Sequence, residues 1–273
     1  MSLVTTADLR SEEFFRELVI PALNEASVVL RTLRRIDTLA TKVNLPIIND
    51  ANVGWVAEGA ALPDAGLTPS LVAVTPKKLS AYADLSNESV NDAASSAIVG
   101  AALAQALARK VDAAFFTSGG AAAPPSLAGA TTLTLDATPT SGTDAYVDAA
   151  AQMEAAGATP TVVYLNPADW AVLAKIKEAT GSAKPVLVAS AGPTAATARS
   201  LNGIPVEVSS GVPAGTGYMV DGTRTVAVVR QDGTVEADRS VGFRNDITVV
   251  RVIGRFSFGF LYSSAVVRIK DIP

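Results

Sequence analysis

Residues 49–79 read NDANVGWVAEGAALPDAGLTPSLVAVTPKKL. Two extended runs, 52–57 and 67–75, flank Glu58-Gly59-Ala60-Ala61-Leu62-Pro63-Asp64-Ala65-Gly66, a loop by its Gly and Pro content. The stretch reads as a hairpin with a wide tip. At about 3.3 Å per residue, arms of about a dozen residues reach roughly 40 Å if straight. It carries too little apolar material for a core of its own, so such an arm has to lie against something else.

Upstream, residues 1–10 read as a loose arm. Ser11 suits a helix cap, with Glu12 and Glu13 at the positive end of the dipole and Phe14, Phe15, Leu18 and Val19 at helical spacing. Pro21 kinks this helix or opens a second one. The second segment carries Leu23, Val28, Leu30 and Leu33 and ends in Arg31, Arg34 and Arg35. Those arginines have two readings: a helix C-terminus favoured by its dipole, or contact with a neighbour's acidic face or with packaged nucleic acid. From Thr38 the pattern turns extended, with Leu39, Thr41, Val43, Leu45 and Ile47 alternating. Pro46 argues there for an edge or a strand end.

Downstream, Ser86 or Asn87 caps a short turn before Asp92. Ile98/Val99, Ala102/Leu103, Ala106/Leu107, Val111 and Ala114/Phe115 then keep one apolar stripe. This predicts a spine helix over 94–116, about 35 Å long. Gly119–Gly129, with Pro124 and Pro125, ends it as a linker. Residues 130–222 read as a lighter α/β region: a helix over 143–156, a buried strand Thr161–Leu165, and a helix capped by Asn166 and opened by Pro167, reaching about 179. A loop at about 180–200 precedes the turn Asn202-Gly203-Ile204-Pro205 and a strand. Val226/Val228, Val235, the run 247–258 and Ala265–Ile269 predict a terminal antiparallel sheet. No internal repeat is visible.

Composition narrows the chemistry. Of 273 residues 49% are apolar, which excludes a disordered chain, while aromatics supply only 5%. Small apolar side chains bury less area each, a weak pointer to association with further copies. With no Cys and no His, disulfides, thiolate chemistry and Ser-His-Asp catalysis are impossible within one chain. The net charge of −4 lacks the basic excess of a free nucleic-acid-binding module. Neither a signal core nor an apolar run near the ~20 residues of a membrane span is present, so a soluble chain made in the cytoplasm is expected.

No catalytic, cofactor or metal site is expected. Glu58 beside Trp55 sits on an exposed tip that does little to raise its pKa, and reads as an interface contact. Gly215-Thr216-Gly217 lacks a following Lys and the dinucleotide-binding spacing, and reads as a turn. Asp144, Asp148 and Glu154 read as a solvated helix face, Ser118 has no companion base, and Trp170 reads as core or lobe interface.

The ordered set of motifs resembles a known family. An arm leads to a hairpin containing Trp55-Val56-Ala57-Glu58-Gly59 and Pro63, whose return strand ends in Pro76-Lys77-Lys78-Leu79. Ser86 and Asp92 precede a spine helix with Leu103, Leu107 and Asp112, followed by Gly119-Gly120. After an α/β lobe, Gly203-Ile204-Pro205-Val206 returns the chain to a sheet with Asp246, Arg255 and Ala265-Val266-Val267. Over nearly its whole length the chain resembles the Hong-Kong-97-type major capsid protein of tailed bacteriophages.

The resemblance implies an α+β fold of that type. It implies an N-terminal arm (1–37), an extended β-hairpin or E-loop (49–79), a discontinuous peripheral domain with the long spine helix (38–48, 80–129 and 223–273) and an axial α/β domain (130–222). It further implies self-assembly through pentamers and hexamers into an icosahedral shell around double-stranded DNA, in the virion, after assembly in the host cytoplasm. Portal, scaffolding and decoration proteins are the implied partners, with no sequence-specific DNA contact and no membrane. Inter-subunit contact falls to Trp55, Glu58, Gly59, Pro63 and Asp64 of the E-loop, and arm contact to Arg31, Arg34 and Arg35.

Two departures from the family pattern matter. Some members weld neighbours by an isopeptide bond from an E-loop lysine, and the tip Glu58–Leu67 contains no lysine. Lys77 and Lys78, near the base, read as solvated or interface charges, so a non-covalent shell is expected. Many relatives also carry a long N-terminal scaffolding segment; here Met1 stands almost directly at the arm, which implies a separate scaffold or none. Two rival readings are an encapsulin-type compartment, which holds enzymes in place of a genome, and a carboxylate-dependent hydrolase.

Overall fold

The computed structural model describes residues 22–48, 53–59, 61–62, 64, 66–87, 93–130, 133–136, 143–177 and 199–272. The expected helix at Ser11–Val19, and all but the end of the loop at 180–200, lie outside them.

A helical stretch at 22–26 leads to Ser27, which caps α1 (Val28–Thr32); its hydroxyl accepts from Leu30 N at 3.2 Å. The helix stops there, although the sequence pattern carries it to Arg35. Thr32 turns its hydroxyl back onto the Val28 carbonyl at 2.8 Å, and Leu33 becomes extended. Arg34 and Arg35 open β1 (Arg34–Thr38), which runs parallel to β10 (Thr225–Gly242). The ladder supplied by β10 overrides the weak local helical preference of a short segment.

β2 (Val43–Ile48) pairs antiparallel with β3 (Pro69–Val74), from Val43↔Val74 out to Ile48↔Pro69. The hairpin therefore begins ahead of residue 49, and 53–59 has no ladder of its own. Pro46 is tolerated because a two-stranded ribbon has only edge strands. The return strand does not run on to Leu79. Lys77 instead begins β4 (Lys77–Ser86), whose residues alternate half-buried and exposed in a second sheet.

That sheet has the order β1-β10-β11-β4, with β11 spanning Ile247–Phe260. The spine helix α2 (Ala93–Phe116) lies on it and buries Ala104, Leu107, Ala108, Val111, Phe115 and Phe116, one stripe at helical spacing. Opposite stand Val250, Val252, Phe256 and Phe258. After the short helix α3 (Leu127–Ala130), a six-stranded sheet carries the order β5-β12-β9-β6-β8-β7. Its strands are β5 (Leu133–Asp136), β6 (Val162–Leu165), β7 (Ser200–Leu201), β8 (Ile204–Val208), β9 (Thr216–Val220) and β12 (Val266–Lys270). The helices α4 (Asp144–Ala155) and α5 (Pro167–Ala174) accompany it. Asn166 caps α5 as expected, accepting from Ala168 N at 3.0 Å, but that helix ends at Ala174 instead of near 179.

The last strand departs from expectation. Residues 266–270 do not extend the terminal antiparallel sheet but lie between β5 and β9. Both edges of β11 are already taken by β10 and β4, whereas β12 buries Val266, Val267 and Ile269 between two strands of the other lobe.

The two sheets share one core. Phe115 meets Phe258 edge-on at 4.8 Å on one side and Tyr164 of β6 at 6.0 Å on the other. Phe116 stands 5.1 Å from Tyr164 and 6.1 Å from Tyr218 of β9. A second cluster, with Tyr146, Met153, Leu165, Leu173, Met219 and Ile269, fills the smaller lobe alone.

One carboxylate ties the N-terminal segment to the spine. Asp112, buried on α2, receives the Ser27 hydroxyl at 2.6 Å and the Val28 and Val29 N–H groups at 3.2 and 3.3 Å. Burial raises its pKa from the usual 3.8, although those three hydrogen bonds pull it back down. Nearby, Gly211 lies so close to the spine that a Cβ there would stand 3.1 Å from Ala113 Cα and N.

Asp112→Ala leaves three donors without their acceptor and should cost about 2–4 kcal/mol in chemical denaturation of the purified chain. The folded form holds its proton more tightly than the unfolded one. The contribution of Asp112 is therefore greatest at low pH and falls as pH rises from 3.8 through the raised folded value. Asp112→Asn should remove that slope. Gly211→Val should cost about 1–3 kcal/mol by pushing the 209–213 loop off backbone that cannot yield, read as a lowered melting temperature.

Candidate inter-subunit surface

Among the described residues the hairpin meets the rest of its chain along its ladder. Leu45 and Val74 sit over Gly259, where a Cβ would come within 2.9 Å of Val74 Cγ2 and 3.2 Å of Leu45 Cδ1. Tyr262 donates its hydroxyl to the Ile48 carbonyl at 3.1 Å. Arg224 lies 5.0 Å over the same tyrosine ring and 3.6 Å from the buried carboxylate of Asp221. Asp221 also holds Thr159 N and the N–H and hydroxyl of Thr223, at the turn where the chain leaves the six-stranded sheet for the other. The sequence carries no local sign of this relay, because its members come from segments remote from one another.

Beyond Ile48 the large apolar side chains among the described residues are exposed. Trp55 is fully exposed, and Val53, Leu62 and Leu67 are exposed with it. Several large apolar groups on one projection are more than scattered surface residues and mark a contact surface. Glu58 is exposed at a turn that Gly59 completes with φ +78°. Asp64 accepts from Gly66 N at 3.1 Å, which closes a local turn. Pro63 lies outside the described residues. Trp55, Glu58, Gly59 and Asp64, all named from the sequence, thus lie on the stretch between the two ladder strands.

The arginines behave differently from one another. Arg31 pairs with Glu207 of β8 at 2.8 Å, fastening α1 to the smaller lobe, and Arg35 pairs with Asp37 at 2.7 Å. Arg34 is exposed at the start of β1. Arg31 stands in the last turn of α1, where the helix dipole favours a cation, whereas Arg34 and Arg35 are strand residues and not the helix end expected of them.

The other weighed groups take structural positions. Gly215, at φ +72°, donates its N–H to buried Asp169 at 2.9 Å and leads into β9. Burial raises the pKa of Asp169, and the Gly215 and Thr216 N–H groups pull it down. Asp112 and Asp169, both with raised pKa values, thus spend their oxygens inside the chain, on backbone N–H groups and, for Asp112, on the Ser27 hydroxyl as well. Asp148, Glu154 and Ser118 are exposed. Trp170 packs against the smaller core, with Arg199 at 5.9 Å over its ring. Among the described residues no three metal-ligating side chains come together, and no helix is long and apolar enough to cross a membrane.

Two open cavities flank the spine. One, of about 370 Å³, lies between α2 and the edge strand β4, floored by Phe256 and Phe258. The other, of about 550 Å³, continues past Ser118 toward Ser126.

Solved structures of the same fold exist. The capsid of an empty GTA particle superposes with a TM-score of 0.72 at 18% identity, over 91% of this chain and 90% of that one. A structure from Gordonia phage Cozz gives 0.70 at 16% identity, over 89% and 86%. One from Mycobacterium phage Bobi gives 0.69 at 20% identity, over 89% and 90%. No curated protein matches the chain. The sequence profile of the phage capsid family matches residues 10–271, and with that match and the shared fold the chain belongs to the phage capsid family.

Proposed function

We propose that this major capsid protein closes, through pentamers and hexamers, into an icosahedral shell around double-stranded DNA, with its subunits joined without covalent bonds. The observation that carries the reading is the projecting hairpin, whose exposed Trp55, Val53 and Leu62 have nothing of their own chain to cover them among the described residues. A heterologous contact, arm of one copy on body of the next, closes into rings and then a shell. The hairpin acts as the E-loop, the spine helix with the four-stranded sheet as the peripheral domain, and the six-stranded lobe as the axial domain. Trp55, Glu58, Gly59, Pro63 and Asp64 carry the inter-subunit contact; of Arg31, Arg34 and Arg35, Arg34 is the one left to reach a neighbour, since the other two are ion-paired within the chain.

The work is mechanical and not enzymatic. Assembly takes place in the host cytoplasm with a scaffold and a portal, and a decoration protein is the natural further partner. A net charge of −4 suits a lining that holds the genome without gripping it.

Negative-stain microscopy of the purified protein or its native particle should show closed shells, and the native particle should protect DNA from nuclease. Shells that hold an enzyme and no DNA would place the protein with the encapsulins, and a monomer that turns over a glycoside or ester would overturn the shell reading. Boiled particles should run on a denaturing gel as one band near 27.9 kDa. A ladder of multimers would contradict the non-covalent joint.

A further inference from the structure

We infer that Tyr262 and Arg224 are positioning residues for the arm: they set the point at which it leaves the body and tie that point to the turns joining the two lobes. The inference rests on the shell reading above and adds what aims the arm, whichever surface of a neighbour it meets.

The ladder takes an outside donor at its last pair. Pro69, opposite Ile48, has no N–H to give, so the Ile48 carbonyl receives nothing from the residue across from it. The Tyr262 hydroxyl supplies a donor at 3.1 Å. Because that bond comes from outside the hairpin, it fixes where the outer end lies on the body.

Tyr262 is itself held. It stands in 261–265, which carries the chain from β11 to β12, and Arg224 stands in 221–224, which carries it from β9 to β10. The two crossings run side by side. Asp221 N donates to the Ala265 carbonyl at 2.9 Å, and Leu261 N to the Arg224 carbonyl at 3.1 Å. Between them the Arg224 guanidinium lies 5.0 Å over the Tyr262 ring, with its Nε 3.6 Å from the Asp221 carboxylate. Asp221 is only 2% exposed, so the guanidinium cannot drift without leaving a buried charge short of its partner. Gly222 fastens the same turn on both sides. Its N–H donates to Thr161 Oγ1 at 2.8 Å, its carbonyl receives Arg34 N at 3.3 Å, and a Cβ there would stand 3.1 Å from the threonine hydroxyl. The arm is thus aimed from the crossing between the lobes and not by the hairpin alone.

Hydrogen exchange on the full chain, held below its assembly concentration, tests this. Tyr262→Phe keeps a ring under Arg224 and removes the donor. Amides of 45–48 and 70–72 should then exchange about three- to tenfold faster, while those of the spine helix keep their rates. Arg224→Met should loosen the same amides, and in the Tyr262→Phe background it should add nothing, because it acts through that hydroxyl. Where Arg224→Met does not fold, Arg224→Gln, which can still donate to Asp221, takes its place. Unchanged arm amides in folded Tyr262→Phe overturn the inference. So does a rise shared by the spine helix, the mark of general destabilisation, and so does an Arg224 effect that adds in full. Once assembled, Tyr262→Phe shells should show a broader spread of diameters than unmodified ones; an identical spread overturns the inference and leaves the shell reading standing. An unmodified chain that forms no shells removes the shell reading alone, and the exchange rates then still decide what aims the hairpin.

Discussion

A buried carboxylate with three donors aimed at it organises the molecule. Asp112 sits in the middle of the shared core and cannot keep its charge there without hydrogen bonds. The N-terminal segment supplies them through Ser27, Val28 and Val29, so the start of α1 is pinned to the spine. From that point the rest is constrained. Arg31 reaches Glu207, Thr32 meets the Tyr164 hydroxyl, and Arg34 joins the sheet edge beside Gly222. Three elements of the fold are thus held together around one side chain.

The same region explains why two sheets behave as one body. Phe115 and Phe116 are adjacent in sequence and so point to different sides of the helix. One packs on Phe258 and the other on Tyr218, which places both lobes on a single aromatic seam. A chain with few aromatics has concentrated them where the lobes join.

Features set by local chemistry were readable in the sequence. The alanine-rich spine was legible because its stripe persists over about five turns, and Asn166-Pro167 because cap and first-turn proline are local signals. The arm was recognisable from Gly and Pro punctuation, though its root was placed too late. Pairing decided the rest. Arg34–Thr38 has no strong preference and becomes a strand because β10 offers an edge. Val266–Lys270 reads as a strand either way, and only the occupied edges of β11 send it to the other lobe. Among site residues, Trp55, Glu58 and Asp64 were identifiable as tip residues, whereas the contacts running from Ile48 through Tyr262 and Arg224 to Asp221 join remote segments and leave no trace in any one of them.

The root of the hairpin has a mechanical consequence. The ladder is held near its inner end by Leu45 and Val74 over Gly259 and at its outer end by the Tyr262 hydroxyl on Ile48, so the lever begins at the last pair, Ile48 with Pro69. A tilt of about 10° about that pair displaces a point ~20 Å beyond it by roughly 3–4 Å while every ladder bond is kept. In a closed surface, one sequence meets its neighbours at several dihedral angles. A tip that swings beyond a held ribbon absorbs that spread, and the body it springs from need not deform.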